Sequence, residues 1–585
     1  MPFGRAFGAD LGRRIAKVAM KAGAAPLALL TVWAAPSVAQ AQSGATTREE
    51  VLRLPPTLRA AASDFGAASC PTTGVIALAQ GETPASANFG GLRLEGVTVL
   101  ESSALQPDWA GVVGQPISRE GIARLAARME CRYREEGFIF ARAQIAPDGD
   151  GGQYRLTMNE GRLQSLEVSA GGAGLAGLVL RAFDGVKEGA PLNASAVRRG
   201  LALAADVGVT NIRPTVRRSR TDPDAIDLIL VTEAPANQLY AVAQNANSEA
   251  LGPWGGVVAA QAIGLTPLYE RSTLGVYLAE DGEKQRALQF SSEALLTKGG
   301  LKARVEAAYA ESAPGGPLEP LDIAGETTFI SAELSGPVVV RRGFIGTWRV
   351  GLESVDQLTD LFGNTPLNKD SLRIGVVGAR ADGLAMGGVW NAAIDLRKGI
   401  EGLGANSRGD ANLSRPDGDP QAFTVRAEAG ATRAVTKTIS VRANVRGQWA
   451  DQPLLAFEEF NFGALSGGRG FDPGAVTGDR GVALGFEGAY RTIPLGEKFR
   501  IQPYAFVEGA RAWGEGLGPS RAEGASAGVG ARFEWAQRVR VDVNFAEPFS
   551  GPRNVARGSF GSKFGVQISS AVDWTFQNGF GRKVK

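Results

Sequence analysis

Histidine is absent from all 585 residues of this chain. That absence removes imidazole metal ligands and the Ser-His-Asp and Cys-His pairs of nucleophilic hydrolases, including the histidine-dependent lipases built on membrane barrels. Carboxylate chemistry stays open, but no nucleotide motif accompanies it, and no cofactor and no enzymatic activity are expected. Cysteine is nearly absent as well, with only Cys70 and Cys131, and two thiols without histidine make a poor metal site. Charge of one sign is missing too: 62 Lys and Arg stand against 60 Asp and Glu, which offers no basic face for nucleic acid. Beyond the N-terminus no segment approaches ~20 uninterrupted apolar residues, so a helical membrane span is excluded.

The N-terminus itself carries the marks of an export signal. Arg5, Arg13, Arg14, Lys17 and Lys21 make a basic start, Leu27 to Val32 with nearby alanines an apolar stretch, and Ala39-Gln40-Ala41 a small-x-small site. Residues 1–41 therefore read as a signal peptide cleaved after Ala41, and Pro26 and Pro36 argue against a buried soluble helix. Residues 42–87 are rich in Ala, Pro, Thr and Ser. Within them Thr47-Arg48-Glu49-Glu50 forms a capping box ahead of Leu52 and Leu54, stopped by Pro55-Pro56, which leaves a short helix or a disordered linker as the two readings. In an oxidising compartment Cys70 and Cys131 are expected to pair and tie this stretch to the first folded unit.

Two α+β units of similar length follow, over 88–162 and 163–235. In the first, Leu92 to Leu100 alternates as a strand, Ser118 opens a helix with Ile122, Leu125, Ala126 and Met129 on one face, and Phe138 to Ala143 and Tyr154 to Met158 read as strands. In the second, Leu166 to Val168 is a short strand, Leu175 to Phe183 a helix, Asn193 caps another helix to about Val207, and Ile226 to Val231 is the last strand. From Gln238 onward helical periodicity disappears. Arg538 to Phe545 sets valines and Phe545 against Arg538, Arg540, Asp542 and Asn544, and Thr438 to Trp449 alternates in the same way. A soluble sandwich also alternates. Long strands with a heavily charged polar face and terminal aromatics such as Trp574 and Phe576 point instead to a membrane barrel over 236–585. Turn signals divide the region into sixteen strands, an even number as such barrels require.

One stretch interrupts this pattern: Gly467-Gly468-Arg469-Gly470-Phe471-Asp472-Pro473-Gly474, then Gly478-Asp479-Arg480-Gly481, inside a connection spanning 450–481. Glycine density alone would leave a mobile surface loop, yet an arginine, an aromatic and two aspartates sit among the glycines. That is the composition of a loop that folds back and docks. Arg-Gly-Phe after paired glycines, then Gly-Asp-Arg-Gly, resembles the signature loop of two-partner secretion transporters, the outer-membrane pores of the filamentous-haemagglutinin and haemolysin type. Glu135-Glu136-Gly137-Phe138-Ile139-Phe140-Ala141-Arg142-Ala143 with Asn159-Glu160-Gly161-Arg162 likewise resembles their polypeptide-transport-associated (POTRA) domains.

The resemblance implies a mainly β fold: a sixteen-stranded antiparallel outer-membrane β-barrel preceded by two periplasmic α+β POTRA domains. It implies that the loop enters the lumen and that its arginine meets an acid on a Phe-x-Asp-x-Gly strand. Here that strand reads Phe506-x-Glu508-x-Ala510, so Arg469 is expected to bond Glu508, with Phe471 packed beside it, Gly470 permitting the turn and Asp479 holding the loop's return path. It implies too that the short helical stretch in 42–87 is a counterpart of the family's pore plug. The partners expected are outer-membrane lipid and a secreted exoprotein, bound in extended form by a POTRA edge and threaded unfolded through a monomeric barrel. An assembly factor of the same superfamily is the alternative. A diffusion porin would leave the periplasmic units and the loop without purpose.

Overall fold

A computed structural model of the chain describes Cys70 and residues 88–574, with breaks at 150, 210, 281, 342, 363–364, 465, 517–519, 537 and 552–561. The expected signal peptide, the short helix in 42–87 and Phe576 lie outside the described residues. In the first periplasmic unit Gln153–Asn159 is the central strand, parallel to Gly91–Glu95 on one side and antiparallel to Arg142–Pro147 on the other. Helix Arg119–Glu135 lies against the sheet and buries Leu125, Met129 and Tyr133, and the Ser118 hydroxyl caps it by accepting from the Gly121 N–H at 2.9 Å. Two glycines end the strand patterns earlier than alternation suggests. Gly96 has φ +75° with Met158 O 2.4 Å from where a Cβ would stand, so the first strand stops at Glu95 and not at Leu100. Gly137, at φ +95°, leads into a turn closed by Ala141 N–H on Phe138 O, so the second strand starts only at Arg142. Buried Glu160 ties the unit together by accepting from the N–H groups of Thr98 and Val99 and from the Tyr133 hydroxyl. Cys70 and Cys131 form a disulfide with their Cα atoms 5.5 Å apart.

The second unit repeats the plan: Ala225–Val231 is central, parallel to Arg162–Ser169 and antiparallel to Arg213–Arg218. Helices Ala173–Ala182 and Ala194–Asp206 bury Leu178, Val179, Val197 and Ala204 against it. The Arg213–Arg218 strand was not marked by alternation, since an arginine-rich edge strand with a proline buries too little to show a period. This unit is seated on the barrel. Arg181 donates to Leu268 O and Arg199 to Gly299 O, and Lys302 of the fifth barrel strand is held by Asp206 and Glu293.

Sixteen long antiparallel strands, from Asn237–Gln244 to Lys563–Trp574, then close on themselves, the last pairing with the first from Gln567↔Gln244 to Trp574↔Asn237. A two-residue strand, Ile493–Pro494, sits in the hairpin between strands twelve and thirteen. The twelfth strand, Arg480–Tyr490, shows why the sequence takes this form. Val482, Leu484, Phe486 and Tyr490 face outward and exposed, while Ala483, Gly485, Glu487 and Ala489 face inward and buried. Exposed Trp449, Trp513 and Phe549 lie near the strand ends away from the periplasmic units, and Trp348, Tyr490 and Trp535 near the other ends, as two aromatic girdles require. No helix among the described residues is long and apolar enough to cross a membrane; this chain crosses with strands.

Candidate functional site

The connection between the eleventh strand, Ile439–Ala450, and the twelfth does not stay outside. Its two arms pair as a short ribbon, Phe460–Phe462 with Val476–Gly478, and its tip turns back where the Phe471 N–H donates to Gly468 O at 2.9 Å. Gly470 is required at the contact: a Cβ there would stand 2.7 Å from Ser526 Cβ on the fourteenth strand, Ala522–Trp535, and 3.2 Å from Pro548 Cγ on the fifteenth. The turn seats Phe471 in a bed formed by Phe462, with ring centroids 5.9 Å apart, and by Gly524 and Gly551, where any side chain would press on it. It is Phe506, on the thirteenth strand Phe499–Trp513, that lies under the Arg469 guanidinium, 3.8 Å from Cζ to the ring centroid.

Arg469 bridges two acids. Its Nε lies 3.4 Å from Glu508 Oε2, and both terminal nitrogens donate to Glu487 Oε2 at 3.2 Å. The Arg469 backbone N–H also donates to Glu508, whose carboxylate accepts from Ser526 Oγ at 3.3 Å. Glu487 is shared with Arg532 at 2.6 Å, which in turn holds Asp542 at 2.9 Å and stacks on Tyr504. The cluster sets two guanidinium groups among three carboxylates, with Glu508 and Glu487 only 4% and 6% exposed. In such confinement charge-assisted bonds are strong, and loss of one partner strands the others. Asp472, next to Phe471, pairs with Lys563 of the sixteenth strand.

A second set of charges holds the base of the loop. Glu458 lies between Arg397, at 2.9 Å, and Arg426, at 3.2 Å, and Arg397 also meets Glu353 at 3.1 Å. Asp479 is fully buried. It takes Arg415, from the connection between strands nine and ten, at 2.6 Å, and accepts from the N–H groups of Leu454 and Glu515 at 2.7 Å each. One carboxylate thereby joins both arms of the loop to two neighbouring connections. Sequence reasoning missed Glu487, Arg532, Glu458 and Arg415. Only Glu487 left a usable trace, as a lone acid among small residues on a lumen-facing alternation. The arginines come from strands and loops distant in sequence.

A protein-family model for haemolysin secretion/activation proteins, ShlB/FhaC/HecB, matches residues 362–533, and one for ShlB-type POTRA domains matches residues 89–161. No curated protein sequence matches the chain. Among solved structures, CdiB from Escherichia coli superposes with a TM-score of 0.74 at 18% identity, covering 89% of this chain and 100% of that one. CdiB from Acinetobacter baumannii gives 0.63 at 16% identity, covering 96% and 97%. BamA from Haemophilus ducreyi lacking POTRA domains 1–3 gives 0.50 at 12%, covering 83% and 100%. These likenesses establish the fold of periplasmic units joined to a sixteen-stranded barrel. With the loop and the first periplasmic unit both inside matched segments, these parts of the chain are similar to the ShlB/FhaC/HecB haemolysin secretion/activation proteins, outer-membrane transporters for a partner exoprotein.

Proposed function

We propose that the exoprotein is taken up unfolded and extended, threads the lumen of a single barrel, and folds outside. The observation that carries this reading is the loop clamped within the barrel by Arg469 between Glu487 and Glu508: a latch inside a conduit has a use only where something must pass. Recognition falls to the periplasmic sheets, where Arg142–Pro147 and Arg213–Arg218 are edge strands to which an extended peptide adds as a further strand. Main-chain hydrogen bonds give such addition affinity with little sequence demand, which suits a long unfolded client. With no nucleotide-binding motif in the sequence, directionality comes from folding beyond the membrane, where ~5–15 kcal/mol per domain is available.

The test compares surface and medium proteins with periplasmic proteins in cells carrying the intact gene, a deletion, and Arg469→Ala. Export predicts one large protein that leaves the surface or medium in the deletion strain and accumulates or is degraded in the periplasm, with a comparable loss in Arg469→Ala. General depletion of resident outer-membrane barrels would favour an assembly role and overturn this reading.

A further inference from the structure

The lumen has two unlike walls. Strands eight to fifteen present the charges that hold the loop, among them Arg397, Arg426, Glu487, Glu508 and Arg532. Outward of the register row that runs from Tyr240 to Val355, strands one to seven present none among the described residues; Glu353, which meets Arg397, lies one step below that row on strand seven. Followed through the pairing register from Tyr240 outward, the inward positions of this wall are Gln, Ser, Thr, Tyr, Gly, Ala, Val and Phe. At its rim, both amide atoms of Gln244 and the hydroxyls of Ser312 and Thr359 meet no hydrogen-bond partner among the described residues. All three residues are at most 4% exposed, and Ser312 and Thr359 flank Gly325 in one register row. One step inward the same wall carries a buried apolar band that includes Val242, Val257 and Tyr277, unusual for the face of a barrel that looks onto a lumen.

Each buried donor or acceptor left unpaired costs about 1–3 kcal/mol; single ones also occur on the other wall, at Asp370, Thr424 and Asn544, but the three here share an uncharged wall, which marks a surface that meets a polar occupant at another stage of the cycle. Among the described residues, what closes over this wall is light. Residues 245–254 and 313–323 are joined by the Gly315 N–H on Ala250 O at 2.8 Å and by a small cluster of Leu251, Ile323, Leu318 and Leu361, and Asn247 reaches down to the Tyr277 hydroxyl. The base of the loop, by contrast, is held by the ion pairs of Arg397, Arg415 and Arg426.

Building on the export reading above, we infer that the unfolded client travels along this uncharged wall, its backbone amides pairing with Gln244, Ser312 and Thr359. It leaves under the segments 245–254 and 313–323 while the base of the loop stays anchored to the opposite wall. The ligand is therefore the peptide backbone itself, the one chemistry common to every stretch of an unfolded chain. Neutral hydrogen bonds contribute a net ~0.5–1.5 kcal/mol each, weak enough to be exchanged as the chain slides. Contacts to ionised groups are roughly twice as strong and would stall each charged residue in turn.

Single cysteines at Ser312 and Thr359, and at Asn444, an exposed inward position on the eleventh strand, test this; the native cysteines are already paired. Each variant, checked for folding by heat-modifiable gel migration, is labelled with a short photocrosslinker in liposomes. The probe is a biotinylated, uncharged peptide of Gly, Ser, Asn and Thr about 30 residues long, which at ~3.3 Å per residue outspans the bilayer. The expected result is capture at Ser312→Cys and Thr359→Cys at least about tenfold above Asn444→Cys, a preference of ~1.4 kcal/mol. Equal capture at all three, or capture at Asn444→Cys alone, overturns the wall assignment while leaving the conduit intact. Capture nowhere overturns both. Crosslinking of Ser312→Cys to residues 42–69 of the same chain, with the peptide excluded, makes the wall a seat for that segment and also overturns the proposal.

Discussion

Removing the Arg469 side chain separates a latch from a decorative ion pair. In Arg469→Ala the two acids are not stranded equally. Glu487 keeps Arg532 at 2.6 Å, whereas Glu508 keeps only Ser526 and a backbone N–H, in a site that leaves it 4% exposed. Breaking a buried pair costs roughly 3–5 kcal/mol. Because Arg469 is 30% exposed and one acid remains paired, the expected loss of loop docking is smaller, about 2–3 kcal/mol. Glu508→Ala should cost about the same, since it removes the acceptor for the loop backbone as well. The double variant should cost less than the sum, with a coupling of about 1–2 kcal/mol, because an empty site no longer holds a lone charge.

These energies are small against unfolding of the barrel but large for one loop: 2–3 kcal/mol raises its undocked population about 30- to 150-fold. The rate of limited proteolysis in the loop, in folded protein in detergent, reads that population directly while opening and closing outrun cleavage. Client secretion by the same variants supplies the functional measure. Single variants whose cleavage rates and secretion match the parent would refute the latch, and strict additivity in the cycle would refute the direct coupling of Arg469 to Glu508.

Gly470→Ala places a methyl group 2.7 Å from Ser526 Cβ, an overpacking cost of about 1–3 kcal/mol, and should raise loop cleavage without changing barrel melting. Asp479→Ala strands two backbone N–H groups in a fully buried site, while Arg415 keeps Glu459 at 2.7 Å, so it should cost about 2–4 kcal/mol and expose the connection at 400–422 as well as the loop itself; cleavage-site mapping checks this. In the periplasmic unit, burial pushes the Glu160 carboxyl up, but hydrogen bonds from Thr98, Val99 and Tyr133 outweigh it and hold the group below its usual range. A lowered folded value means stability that is present above the unfolded pKa of about 4.3 and lost as pH falls through the folded value. Circular dichroism under acid titration should therefore show the first unit unfolding at acid pH, and Glu160→Gln should be less stable at neutral pH with a flatter acid limb.

Much of the architecture was legible in the chain. A strand in a barrel wall faces lipid on one side and water on the other, so strands such as Arg480–Tyr490 and Ile439–Ala450 write their environment as a period of two, residue by residue. The edges of the small periplasmic sheets were less legible. Gly96 and Gly137 end strands through backbone conformations that hydropathy does not register, and Arg213–Arg218 has too little buried surface to impose a pattern.

The sequence by itself determined that this is a barrel with a docking loop, because alternation and glycine placement are local consequences of lipid contact and of turns. The resemblance named one docking partner, Glu508; only the tertiary structure decided the rest of what the loop docks against. Glu487, Glu508 and Arg532 come from three strands, and Arg415 and Glu458 from two separate connections. A carboxylate selects its guanidinium by distance in space, and closure of the barrel, absent from any local stretch of chain, is what brings these groups within about 3 Å of one another.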